Sequence, residues 1–303
     1  MEPIKSFSDL EVRFAQIASN RRVAVVCPTD EHTIEVVEKC INDYKVKFTL
    51  CCSEPSSWAD SLAETSNGNI TVIYTSTNDD AAQAAVAEVR NGRADVVMKG
   101  AINTDNLLRA VLNKQTGLLD PGKVLTHITA VECPAYHKLV FFSDAAVIPQ
   151  PEMKQFEAMV DYGITILRNL NISNPNTALI HFSEKSNEKF AHTMCYEELK
   201  RLNAEGRFGE GSTVEGPMDV KTACDRHSAE VKKFDSKVAG NADLLIFPNL
   251  VAANVFYKTT VLFGNASVAG IICGANAPIV IPSRADSSQS KFNSLALACT
   301  ALS

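Results

Sequence analysis

The sequence predicts an α/β protein made of two doubly wound α/β domains with a cleft between them. Three observations carry that expectation. Short apolar runs of strand type recur, among them RVAVVC at 22–27, VKFTLC at 46–51, ITVIYT at 70–75 and ADVVMKG at 94–100. Stretches with helical apolar spacing lie between them, and strands alternating with helices of about ten or more residues form parallel βαβ units with right-handed crossovers. The rhythm changes after residue 114 and resumes at 177. At 303 residues the chain exceeds the usual size of one domain and should bury roughly three quarters of its unfolded surface.

Taken in order, Ser6 precedes Phe7, Leu10, Phe14 and Ile17, a serine cap followed by one helical face. The strand at 22–27 leads through Pro28-Thr29-Asp30 into a helix with Ile34, Val37, Ile41 and Tyr44 inward. Between the strands at 70–75 and 94–100, Asn78 and Asp79 offer caps for an alanine-rich helix that Asn91-Gly92 ends. A helix follows from about Thr104 to Lys114. HITAVE at 127–132 and KLVFFSD at 138–144 read as a hairpin or as a crossing between domains. Beyond Pro151 a long helix carries Phe156, Met159, Ile164 and Leu167. Then come TALIHFS at 177–183, a helix to about Leu202, a mobile loop at 204–213, a GPMD turn at 216–219, a helix to about Val231, DLLIFPN at 243–249 and a helix over 251–263. VAGIIC at 268–273 is apolar enough to return the chain to the first sheet, so the domains are expected at 1–135 with 271–303, and at 136–270.

A hydrophobic content of 46% with 21% charged residues is that of a soluble globular protein. No apolar run approaches about 18 residues and the N-terminus lacks a signal-peptide core, which points to the cytoplasm and to no membrane partner. The nine cysteines are scattered without a CxxC pair and read as buried free thiols. A net charge of −6 argues against a nucleic-acid partner and would repel small anions, so any phosphate site must be made positive locally.

The stretch IVIPSRADSSQSKFNSLAL at 279–297 meets that need. A short apolar strand stops at Pro282, and a helix follows for which Ser283, Asp286 and Ser287 are candidate caps. A strand that ends in small polar residues and opens a helix directs free N–H groups and a positive dipole end at an anion. Arg284 adds a planar fork that matches phosphate oxygens. Because sites in open α/β sheets form at the carboxyl ends of strands, four more loops are candidates: Lys99-Gly100 with Asn103 and Thr104, Ser143-Asp144, Gly216-Pro217 with Asp219, and Pro248-Asn249 running on to Asn254 and Lys258. Together they suit a large phosphorylated ligand. No GxSxG elbow, HExxH pair, dinucleotide fingerprint or P-loop is present, and the histidines lack ligand spacing, so no metal is expected.

ADVVMKGAINTDNLLRAVL at 94–112, VFFSDAAVIPQP at 140–151, VEGPMD at 214–219, AGNADLLIFPNLVAANVFYK at 239–258 and VIPSRADSSQSKFNSLALA at 280–298 occur in this order over about two thirds of the chain. They resemble the phosphate acetyltransferase and phosphate butyryltransferase family, the butyryl branch most closely. The resemblance implies an isopropylmalate dehydrogenase-like fold and reversible transfer of a short acyl group between coenzyme A and inorganic phosphate, without a metal, a covalent acyl-enzyme or a tightly bound cofactor. It also implies a homodimer or higher homo-oligomer and a carboxylate kinase that uses the acyl phosphate. Direct transfer rests on positioning, which can supply on the order of 7 to 11 kcal/mol, and on donors for the developing oxyanion.

The roles that follow are Arg284 on the phosphate and Ser283 orienting it. Lys99, Gly100, Asn103, Thr104 and Arg109 lie where the family's cleft loop contacts coenzyme A or phosphate, with a solvated helix arginine the alternative for Arg109. Asn254 and Lys258 share a helix face and are candidate substrate contacts. The acetyl branch carries an aspartate six residues beyond the arginine; Ser290 stands there, so Asp286 becomes either the base for the coenzyme A thiol or a helix cap. Asp144 reads as structural. Two other functions compete: a catalytically silent acyl-CoA-binding regulatory domain, which should have lost the Ser283-Arg284 pair, and a metal and NAD-dependent dehydrogenase, which needs clustered aspartates absent here.

Overall fold

The computed structural model describes residues 2–283 and 286–302. Two compact units emerge: a central unit of Thr126–Val268 with the N-terminal segment to Phe7, and a flanking unit of Ser8–Leu125 with the chain from Ala269 onward. The flanking unit begins with α1 (Phe7–Ile17), β1 (Arg22–Val26), α2 (Glu31–Tyr44), β2 (Lys47–Cys52), α3 (Ser57–Thr65), β3 (Ile70–Tyr74), α4 (Asn78–Arg90), β4 (Val96–Lys99) and α5 (Thr104–Val111). The central unit carries β5 (Thr126–Glu132), β6 (Val140–Ser143), α6 (Met153–Asn169), β7 (Asn176–Ile180), α7 (Ala191–Ala204), β8 (Thr213–Met218), α8 (Val220–Cys224), α9 (Arg226–Val231), β9 (Leu244–Ile246) and α10 (Leu250–Phe263). The chain returns through β10 (Ser267–Cys273) and β11 (Ile279–Val280) to α11 (Ser288–Ala301).

In the flanking unit the strand order is β3-β2-β1-β4-β11-β10, parallel from β3 to β11 with β10 antiparallel to β11. Residues 23–26 of β1 and all four of β4 are buried, as expected of strands covered on both faces. Phe14, Tyr44 and Phe292 stack with centroids 5.1 to 5.8 Å apart and lock α1, α2 and α11 together. In the central unit the order is β5-β6-β9-β7-β8. Here β5 and β6 form an antiparallel hairpin, Ile128 opposite Ser143, and the other neighbours are parallel.

Four local expectations change. Residues 57–65 form a helix that the sequence reading left unassigned; Ser56 caps it and the Trp58 indole donates to Glu38 at 2.8 Å, pinning it to α2. The cap of α4 is Thr77, whose hydroxyl accepts from the Asp80 N–H, rather than Asn78 or Asp79. The expected GPMD turn is largely strand: Gly216 and Pro217 lie inside β8, an edge strand, where a missing N–H costs no ladder bond. The 204–213 loop is tied down, with Phe208 buried and Arg207 bonded to Glu157 at 2.7 Å and Asp161 at 3.2 Å on α6.

Candidate active site

Strands β1, β4 and β11 are neighbours and run parallel, so their carboxyl ends open on one side. The chain builds outward from β1 through β2 to β3 and then crosses to β4 on β1's other side. That reversal is a topological switch point, where helices leave in opposite directions and a crevice remains. A cavity of about 260 Å³ lies there, lined by Asp30 beyond β1, by Lys99, Gly100 and Ala101 at the end of β4, by Pro282 and Ser283 beyond β11, and by Lys291 from α11.

Backbone geometry fixes the floor. Cys27 leaves β1 with φ near 50°, and its carbonyl accepts the Ala101 N–H at 2.7 Å while Val26 O accepts Gly100 N–H at 2.8 Å. A Cβ at residue 100 would lie 2.4 Å from Cys27 O and 2.7 Å from Val26 O, so only glycine lets the two strand exits approach this closely. Lys99, the last residue of β4, is 5% exposed, and its ammonium donates to Gly100 O at 3.2 Å.

The second buried ammonium comes from α11, which Ser287 caps by accepting the Ser290 N–H at 3.2 Å. Every residue from Lys291 to Thr300 is buried, and a lysine in such a helix must find a partner. Phe292 packs on Tyr44 of α2, which turns Lys291 toward the start of that helix. There its ammonium donates to Asp30 Oδ1 at 2.5 Å and to Thr33 Oγ1 at 3.1 Å. Asp30 also caps α2 by accepting the Thr33 N–H at 3.0 Å. Burial pushes the Asp30 carboxyl up, but Lys291 and Thr33 outweigh it and hold the group below its ordinary value. The cavity thus carries two ammonium groups and one carboxylate among the described residues, and the loops that line it lead into the positive N-terminal ends of α2, α5 and α11.

Of the residues singled out in the sequence, Lys99, Gly100 and Ser283 meet in this cavity. Arg284 lies outside the described residues. Asp286 braces the loop: its carboxylate accepts the Ser283 N–H at 2.8 Å, and its own N–H donates to Ser283 O at 3.1 Å. Asn103 is the N-cap residue of α5 and Thr104 its first residue; both are exposed and neither lines the cavity. Arg109 points elsewhere, its side chain 70% exposed and 3.8 Å from Asp79 of α4. Asn254 and Lys258 belong to α10 of the central unit, where Asn254 donates to Ala145 O at 3.2 Å and the Lys258 ammonium stands 4.2 Å from the Tyr257 ring. The Asp144 carboxylate accepts from Thr126 Oγ1 and from the N–H groups of His127, Ala146 and Val147, each at 2.8 Å, which makes it a buried brace for the β5–β6 hairpin.

Asp30 and Lys291 escaped the sequence reading. The strand-end rule that selected Lys99 and Ser283 applies equally to β1, and Pro28-Thr29-Asp30 was its unused instance. Among the described residues no group of three or more histidine, cysteine, aspartate or glutamate side chains is placed to hold a metal ion. No described helix is long and apolar enough to cross a membrane.

Known proteins resemble this chain over nearly its whole length. A probable phosphate butyryltransferase of Bacillus subtilis (strain 168) is 33% identical over 288 residues, 95% of each chain. A phosphate butyryltransferase of Clostridium acetobutylicum is 33% identical over 296 residues, 97% of each chain. The crystal structure of a branched-chain phosphotransacylase from Enterococcus faecalis V583 superposes with a TM-score of 0.82 at 26% identity, covering 93% of this chain and 99% of that one. Since residues 16–299 match the profile of the phosphate acetyl/butaryl transferase family, the chain belongs to that family of acyltransferases.

Proposed function

We propose that this protein transfers a short, butyryl-type acyl group reversibly between coenzyme A and inorganic phosphate, within one ternary complex. The observation that carries the proposal is the cavity at the ends of β1, β4 and β11, where two lysines, each no more than 5% exposed, line a space large enough for a phosphate group. Lys99 and Lys291 seat the phosphate, Ser283 orients it from a loop braced by Asp286, and Arg284, adjacent in sequence, completes the grip. Positioning of this kind needs no covalent intermediate, because aligning both reactants supplies on the order of 7 to 11 kcal/mol. Relatives named for butyryl and branched-chain substrates support a short acyl chain longer than acetyl.

Coenzyme A acts as a substrate in this scheme, no cofactor is tightly held, the reaction takes place in the cytoplasm, and a carboxylate kinase is the metabolic partner that consumes the acyl phosphate of short-chain fatty acid metabolism. Association of two or more copies is supported by α10, whose exposed Val251, Val255, Leu262 and Phe263 leave an apolar surface on a helix that is apolar almost throughout. A silent acyl-CoA-binding domain has no observation in its favour.

The test is a thiol-release assay with a panel of acyl-CoAs, each with and without phosphate. Release that depends on phosphate and peaks at four-carbon or branched chains is the expected result. Thioester loss that ignores phosphate would identify a hydrolase and reject the proposal.

A further inference from the structure

Thiolysis of an acyl phosphate requires a proton acceptor, because a free thiol with a pKa of about 8.5 is mostly protonated at neutral pH. The sequence offered Asp286, but its Oδ2 already accepts the Ser283 N–H and its side chain does not line the cavity. We propose that Asp30 is the general base for the coenzyme A thiol and that Lys291 is its positioning residue, an inference that rests on the acyl transfer proposed above.

Three features support it. Asp30 is the one carboxylate among the described residues that line the cavity. Its bonds to Lys291 Nζ and to the Thr33 N–H both fall on Oδ1, and the side chain is one third exposed, so the rest of the carboxylate faces open space. It is also fixed, being at once the cap of a 14-residue helix and the partner of a lysine held in a fully buried stretch of α11. Among the described residues, the other charged groups that line the cavity with it are Lys291 from α11 and Lys99 at the end of β4; His32, two residues on in the first turn of α2, bonds to Ser288 at 3.0 Å and does not line the cavity.

The balance of the step is complete. The thiol S–H bond breaks as sulfur attacks the acyl carbon, and Asp30 takes the proton. The bond between the acyl carbon and the phosphate oxygen then breaks, and Asp30 returns the proton to the departing phosphate, which leaves as hydrogen phosphate. The opposite direction runs through the same transfers. Lys291 couples the two halves: an arriving phosphate competes for its ammonium, loosens its hold on Asp30 and raises the basicity of the carboxylate when a proton must be taken.

The experiment compares wild type, Asp30→Asn and Asp30→Glu in acyl phosphate thiolysis between pH 6 and 8. Asparagine caps helices as well as aspartate does, so α2 should persist, and Asp30→Ser, also a good cap, serves if the asparagine variant melts early. Asp30→Asn should lower kcat about 10²- to 10⁴-fold, leave KM for acyl phosphate within a few-fold, and turn a nearly flat pH profile into one that rises about tenfold per pH unit as thiolate forms. Asp30→Glu should recover part of the rate. A folded Asp30→Asn or Asp30→Ser protein that keeps more than about a third of wild-type kcat with an unchanged profile overturns the assignment of Asp30 alone. Wild type without any phosphate-linked thiol chemistry overturns the reading on which it rests.

Discussion

Replacing Lys291 by methionine separates the two jobs of its ammonium. Methionine has similar length and is apolar, so the packing of α11 survives and only the charge is lost. Removing one partner of a buried ion pair costs about 3–5 kcal/mol. Asp30 is one third exposed and water can resolvate it, which reduces the stability loss to about 1–2 kcal/mol. At roughly 2–4 °C per kcal/mol for a chain of this size, Tm should fall by about 2–8 °C. Loss of a charge-assisted bond to phosphate, about 1.5–3 kcal/mol, should raise KM for phosphate about 10- to 150-fold at saturating acyl-CoA. Phosphate titrations of thiol release, with melting curves on the same samples, measure both. A KM for phosphate within twofold of wild type, in a variant whose Tm has fallen as expected, would show that Lys291 serves the fold and not the anion.

Three further substitutions or modifications probe neighbouring features. Gly100→Ala forces a Cβ to within 2.4 Å of Cys27 O, a backbone atom that cannot swing away; a loss of about 1–3 kcal/mol in denaturant unfolding and a rise in KM for phosphate from the displaced Lys99 should appear together. Asp144→Asn sets an amide donor against a carboxylate site that accepts four hydrogen bonds, and should cost about 3 kcal/mol or more in stability while leaving the KM values of the folded fraction unchanged. Burial pushes the thiols of Cys51 and Cys299 up to about 12 and that of Cys52 to about 11, so at pH 8 all three remain neutral; mass spectrometry after native-state alkylation should find them unmodified, with reaction only after denaturant is added.

The parts that could be read from sequence are those in which one physical constraint dominates. RVAVVC and ADVVMKG announce strands because a parallel strand covered on both faces needs an unbroken apolar run. SWADSLAET, by contrast, buries only Ala59 fully, so its helical period is weak and α3 went unassigned. Gly216-Pro217 is a turn signal by composition, and the edge position that makes it acceptable as strand belongs to the sheet, not to the local sequence. At the site, Lys99, Gly100 and Ser283 were found because they follow strands. Lys291 was not, because a lysine in a helix reads as solvated, and its partner Asp30 is 261 residues away in the chain. Asp30 reads equally well as a helix cap, which it is, and nothing local distinguishes a cap from a cap that also anchors a buried cation.

The charge arrangement at the switch point has one further consequence. A protein of net charge −6 repels phosphate globally, yet the described residues that line the cavity carry two lysines against one aspartate, a formal surplus of one positive charge among them. Such a surplus raises the energy of the empty site, so an anion that neutralises it should stabilise the folded chain by mass action. At phosphate concentrations near 100 times Kd the gain is about 2.7 kcal/mol, or a rise in Tm of about 5–10 °C. Lys99→Met removes one of these positive charges without touching the Asp30–Lys291 pair, and should lower the phosphate-induced rise while leaving the melting point in chloride little changed. If phosphate raises Tm no more than chloride of equal ionic strength does, the two buried ammonium groups are serving the fold alone, and the anion must bind elsewhere.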